Sequence, residues 1–124
     1  MPRGPTSLIR RKLIRGMRKL ARQTGRNVWR RVAEELSRPR RRRVAVNISR
    51  INRYAREGET VVVPGKVLGA GKLEKKLTVI AESFSETALR KIVEAGGKAI
   101  PLTQVLEDEE TLKTYASGPL RIMV

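Results

Sequence analysis

Apolar residues in the first part of the chain recur at helical spacing. Ile9, Leu13, Met17 and Leu20 follow one another at intervals of four, four and three, which sets them on one face. The pattern predicts a helix from Thr6 to Gln23, capped by Thr6 or Ser7 and ended by Gly25 in a left-handed conformation. A second, shorter helix is expected from Val28 to Leu36, with Asn27 as its cap, Trp29, Val32, Ala33 and Leu36 inward, and Pro39 as its stop. From Val44 the period changes. Val44-Ala45-Val46-Asn47-Ile48 alternates as a short strand, and Ser49 to Arg56 reads as a turn or short helix closed by Gly58. Thr60-Val61-Val62-Val63 is a β-branched run suited to a buried strand. Pro64-Gly65 is expected to break it, leaving Val67 to Gly71 as a glycine-punctuated strand or loop. Leu77 to Ala81 is another strand. Ser85 caps a helix to Ala95, with Ala88, Leu89, Ile92 and Val93 inward and Gly96-Gly97 at its end. Lys98 to Leu102 suits an edge strand, the one place where Pro101 is tolerable, and Thr103 is expected to cap a short acidic helix through Leu106. The last residues carry no clear pattern. Alternating strands and helices give an α/β fold.

A chain of 124 residues suits one domain, 1–124, with a basic helical part (1–43) and an α/β body (44–124). The hydrophobic fraction of 40% is enough for a modest core and excludes a disordered basic tail. The absence of Cys and His excludes disulfides, thiolate chemistry and any site that needs imidazole. No apolar run is long enough to span a membrane, and the N-terminus leads into a charged helix pattern instead of a signal peptide, so a cytoplasmic protein is expected.

Charge changes the picture most. The net is +16, and it is not spread evenly: residues 1–56 hold 19 basic and 2 acidic residues, whereas residues 57–124 hold 9 and 10. Of the 19 cations in the first half, 17 are Arg, whose planar fork of donors matches phosphate oxygens. Such a half has the footprint of a polyanion binder, since an ordinary solvated surface mixes both signs. Arg11, Arg15, Arg18 and Arg22 repeat at helical spacing near the face opposite the apolar stripe, so one side docks on a core while the other meets phosphates. The run Arg38-Pro39-Arg40-Arg41-Arg42-Arg43 cannot pack inside a protein. Between two ordered segments it reads as a loop that clamps phosphate.

Other chemistry is thin. Gly65-Lys66-Val67-Leu68-Gly69-Ala70-Gly71-Lys72-Leu73 fails as a nucleotide-binding P-loop, because five residues separate Gly65 from Gly71 and Leu73 lacks a hydroxyl. What remains is either a turn between strands or a flexible backbone whose amides, beside Lys66 and Lys72, approach phosphate. Glu34 and Glu35 diverge on their helix, and Glu107 to Glu110 reads as a solvated acidic corner. No cofactor, metal or small-molecule substrate is indicated, and an enzyme is not expected. Trp29 keeps register with the core. Tyr54, among Arg50, Arg53 and Arg56, is the better base-stacking candidate. So few aromatics favour phosphate contact and shape recognition of folded nucleic acid.

The segment Val46-Asn47-Ile48-Ser49-Arg50-Ile51-Asn52-Arg53-Tyr54, continuing through Gly58-Glu59-Thr60 to Gly69, resembles the archaeal and eukaryotic large-subunit ribosomal protein family eighteen-e. So do Leu77 to Phe84 with Ser85, the Ala95-Gly96-Gly97 helix end, and the N-terminal part with Trp29 and the Arg-Pro-Arg-Arg run. The resemblance covers about Thr6 to Asp108 and is most specific around Pro64 to Gly69. It implies a structural component of the large ribosomal subunit, with large-subunit ribosomal RNA and neighbouring large-subunit ribosomal proteins as partners. It also implies a fold shared with the ribosomal protein fifteen family, an irregular strand-strand-helix body behind the basic helices. With its end at Val124 the chain is expected to be the archaeal form. Within the resembling segment Arg50, Arg53, Lys66 and Lys72 are expected RNA contacts on chemical grounds.

A rival expectation is a DNA-binding regulator that uses the first two helices as a helix-turn-helix. The turn from Thr24 to Asn27 is short enough, but the basic residues are not focused on one recognition helix. The arginine run yields a direct prediction. Replacing Arg41 and Arg42 together by Ala weakens RNA binding and leaves thermal unfolding nearly unchanged; a collapsed fold would show the run to be structural.

Overall fold

The structure is a computed structural model and describes residues 6–39, 43–115 and 118–124. Two helices come first, α1 (Thr6–Thr24) and α2 (Asn27–Leu36). Then follow β1 (Val44–Asn47), α3 (Ile48–Tyr54), β2 (Thr60–Leu68), β3 (Thr78–Phe84), α4 (Glu86–Glu94), β4 (Lys98–Pro101), α5 (Leu102–Glu107), α6 (Glu109–Tyr115) and β5 (Arg121–Ile122). The strands form one parallel sheet in the order β1-β2-β3-β4, with β5 added beside β2. This confirms the α/β class.

The sheet separates two apolar cores. On one face Leu13, Met17 and Leu20 of α1 meet Trp29, Val32, Ala33 and Leu36 of α2, closed below by Val62, Ile80 and Ile100 and at the side by Leu102 and Val105 of α5. Trp29 is fully buried, as its register requires. On the other face Ile48, Ile51 and Ala55, on and just after α3, and Ala88 and Ile92 of α4 cover Val46, Val61, Val63, Val67, Val79 and Ala81. Alternate residues of β2 and β3 serve opposite cores, which is why their sequences read as continuous β-branched runs. At the C-terminus Arg121 pairs with Glu59 at 2.9 Å and ties β5 to the start of β2. Burial works to raise the Glu59 carboxyl, but the Arg56 N–H and the Arg121 guanidinium hold it below its ordinary value.

Several expectations are corrected. Pro64 and Gly65 do not break the strand; both are buried within β2, at the centre of the sheet. On one edge β2 pairs with β5 through Val61 and Val62 and with β1 from Gly65 onward. On the other edge the register with β3 shifts between Val63 and Lys66. Pro64 therefore sits where the ladder is interrupted on both sides, so its missing N–H leaves no bond unmade. Ile9 is exposed, and Arg10 is buried instead. Helix α2 begins at Asn27 with Arg26 as its cap and no capping side chain. Thr103 lies inside α5, which Pro101 precedes. Leu89 and Val93 of α4 are exposed, because the helix is covered only along Ala88 and Ile92. Ser85, as expected, accepts the Ala88 N–H at 3.1 Å, and Gly25, Gly58 and Gly96 take positive φ. The caps proposed at Thr6 and Ser7 lie outside the described side chains.

Gly65 lets β1 approach. A Cβ there would overlap the Val44 carbonyl oxygen of the paired strand, a backbone atom that cannot swing away. Gly65→Ala is expected to cost about 1–3 kcal/mol, read as a lower midpoint in denaturant unfolding. An unchanged midpoint would contradict this account of the β1–β2 junction.

Candidate nucleic-acid interface

The inward face of α1 fixes where its basic residues stand. Because Leu13, Met17 and Leu20 are clamped against α2, Arg11, Arg15, Arg18 and Arg22 all lie exposed on the outer side, with Lys12 and Lys19 beside them. Eleven residues of rise, roughly 16 Å, separate the first of these arginines from the last. Among the described residues none of the four makes an ion pair. The carboxylates that might have served are committed elsewhere: Glu34 to Arg30 at 3.5 Å, and buried Glu35 to Arg31 at 3.1 Å and Arg38 at 2.7 Å.

The arginine run is divided. Arg38 is held by Glu35 and also closes the end of α2, so its guanidinium is half-exposed but already paired. Arg43 is half-buried and already in contact within the protein. Arg40, Arg41 and Arg42 lie outside the described residues.

A second basic surface lies across the sheet. Ile48 and Ile51 anchor α3, which leaves Arg50, Arg53 and Tyr54 outward. Ser49, Arg50, Asn52, Arg53 and Tyr54 line one shallow hollow. Lys72 is exposed on the loop after β2, next to the start of α3, since Gly71 packs against Ser49. That loop is not the flexible backbone the sequence allowed. Lys91 of α4 donates to the carbonyls of Gly69 and Gly71 at 2.8 Å each, and Ser49 N–H donates to Ala70 at 3.3 Å. Asn52 accepts the Glu74 N–H at 3.0 Å. Gly69 leaves no room for a Cβ beside Thr87. Lys66 does not join this cluster. It is exposed next to Val67, which packs in the α3/α4 core, so alternation puts Lys66 on the opposite face of the sheet.

The sequence reading missed Arg10. It is only 7% exposed; its Nε donates to the Leu36 carbonyl at 2.8 Å and its guanidinium pairs with Glu82 of β3. The signal was available: the buried arc of α1 extends toward Ile14 and Ala21, and Arg10 falls within it while Ile9 falls outside. Lys91, which the sequence did not single out, is likewise a structural cation, held on the Gly69 and Gly71 carbonyls. Among the described residues no group of carboxylates is placed to hold a metal, and no helix is long and apolar enough to cross a membrane.

Comparison with known proteins gives a consistent result. Residues 4–113 match the family model described as ribosomal protein 60S L18 and 50S L18e. The chain is 51% identical over 102 residues to the large ribosomal subunit protein eL18 of Methanothermobacter thermautotrophicus, covering 82% of this chain and 84% of that one. It is 47% identical to the protein of that name from Pyrobaculum aerophilum, over 99% of this chain and 97% of the relative. The Sulfolobus acidocaldarius counterpart is 44% identical over 99% and 98%.

The Arg10–Glu82 pair separates structural from free cations. Glu82→Ala strands a buried guanidinium and is expected to destabilise the fold by about 3 kcal/mol. Arg10→Met with Glu82→Leu is expected to recover most of that loss in denaturant unfolding. Equal damage from the single and double variants would contradict the pairing.

Proposed function

The chain belongs to the ribosomal protein 60S L18 and 50S L18e family, and on that premise we propose how it serves as a structural constituent of the large ribosomal subunit. It is a scaffold component and not an enzyme, and its place is that of the ribosome, in the cytoplasm. The outer face of α1, with Arg11, Arg15, Arg18 and Arg22, binds phosphates of large-subunit ribosomal RNA. The observation that carries this reading is that these exposed arginines have no counter-charge within the described protein. Neutralisation by RNA phosphate relieves their mutual repulsion and releases the counter-ions condensed on the RNA. Arg40 to Arg42 extend the contact, and Arg38 and Arg43 hold the ends of that run to the body. Arg50, Arg53 and Lys72 form a second contact on the far side of the sheet, so one domain ties two RNA segments together. Lys66 reaches RNA from the α1 side. Neighbouring large-subunit proteins meet the near-neutral second half.

A helix-turn-helix on DNA has less in its favour. The residues of α2 that would enter a groove include Arg30 and Arg31, both paired with glutamates of the same helix, and the opposite face is spent on Trp29, Val32, Ala33 and Leu36.

The test is a titration of archaeal large-subunit rRNA with the protein at several salt concentrations. With six to ten phosphates contacted, affinity falls roughly 10³–10⁵-fold between 50 and 200 mM salt. Replacing Arg11, Arg15, Arg18 and Arg22 by Ala lowers the log–log salt slope by about 3 to 4 and leaves the melting temperature close to that of the parent. A flat salt response, or a slope the four substitutions do not change, would overturn the reading.

A further inference from the structure

Of the four aromatic residues, three are committed to packing: Trp29 is fully buried, Tyr115 packs on the α1/α2 core and Phe84 on the α3/α4 core. Tyr54 is the exception. It stands 56% exposed at the end of α3 and belongs to neither core. The Arg53 guanidinium lies 5.9 Å from its ring centroid, so two planar groups adjoin on the surface. Ser49, Arg50 and Asn52 complete the hollow, and none of its lining residues is a carboxylate. The Asn52 carbonyl oxygen is taken by the Glu74 N–H, which fixes the amide and leaves its NH₂ to donate. The hollow thus offers a ring face, cations for phosphate and a held donor for a base edge.

We propose that this hollow is a nucleotide site in which an unpaired rRNA base stacks on Tyr54 while Arg50 and Arg53 hold the adjoining phosphates. The inference rests on the rRNA-binding reading and adds to it a residue that recognises a base rather than the backbone. A paired base keeps both faces covered by its neighbours and cannot use the ring, so the ligand is a bulged or loop nucleotide. The ring is exposed and touches neither core, so its removal does not disturb the fold.

The experiment titrates archaeal large-subunit rRNA, and separately a fully paired RNA duplex, with wild-type protein, Tyr54→Ala and Tyr54→Phe, each checked by thermal unfolding. Tyr54→Ala is expected to weaken rRNA binding roughly 5- to 150-fold at an unchanged salt slope, without effect on the duplex. Tyr54→Phe keeps the ring and binds as wild type. Three results would overturn the proposal while leaving the broader reading intact: wild-type affinity in Tyr54→Ala, an equal loss on the duplex, or a loss in Tyr54→Phe as large as in Tyr54→Ala. Failure of the wild-type protein to bind rRNA would overturn the rRNA-binding reading itself, and the stacking site with it.

Discussion

Positive charge in excess of what the chain can neutralise is the constraint on which this molecule turns. The first 56 residues carry 19 cations and only Glu34 and Glu35 as anions. Both glutamates are paired within or just after α2, and a third carboxylate, Glu82, reaches across from the sheet to Arg10. The cations that bear on the fold therefore have partners, while among the described residues those on the outer face of α1 have no counter-charge. Exposed like charges at helical spacing repel, and water and salt only screen the repulsion. A polyanion removes it. On the proposed reading, stability and RNA binding fall to different arginines of the same helix.

The sheet supplies the rigidity this division needs. An α1 free to roll would lose the distinction between Arg10 and Arg11. It is fixed because Leu13, Met17 and Leu20 interlock with Trp29 and Leu36, and because Arg10 bonds both the end of α2 and β3. Across the sheet the same logic recurs with different parts. Lys91 is spent on the carbonyls of Gly69 and Gly71, which sets the loop carrying Lys72 against the start of α3. In each case one cation is committed to internal bonds so that neighbouring cations are presented in fixed positions, and a pre-set surface loses less entropy on binding.

Much of this was legible in the sequence. The helices α1 and α2 with their inward Leu13, Met17, Leu20, Trp29 and Leu36, the Ser85 cap, the glycine stops and the edge position of Pro101 all follow local rules that tertiary context did not override. The resemblance around Pro64 to Gly69 pointed to the family that the comparisons then showed. What was not legible depended on who the neighbours are. Pro64 looked like a strand breaker because nothing local reveals that β5 and β1 share one edge of β2 and part company there. Lys66 looked like a companion of Lys72 because a change of sheet face is invisible without the register. Ile14 and Ala21 already tilt the buried arc of α1 toward Arg10 and away from Ile9, but that Arg10 finds its counter-charge in Glu82 of β3 is invisible without the packing. Leu89 and Val93 are apolar, yet the core below α4 is only wide enough to cover Ala88 and Ile92.

The central claim is that the uncompensated arginines serve a place in the large ribosomal subunit. Its most direct test is sedimentation of the tagged protein from an archaeal lysate, with the heavy fractions washed at rising salt. The account predicts recovery with large subunits that survives moderate salt. Recovery wholly in the light fractions at low salt would contradict it.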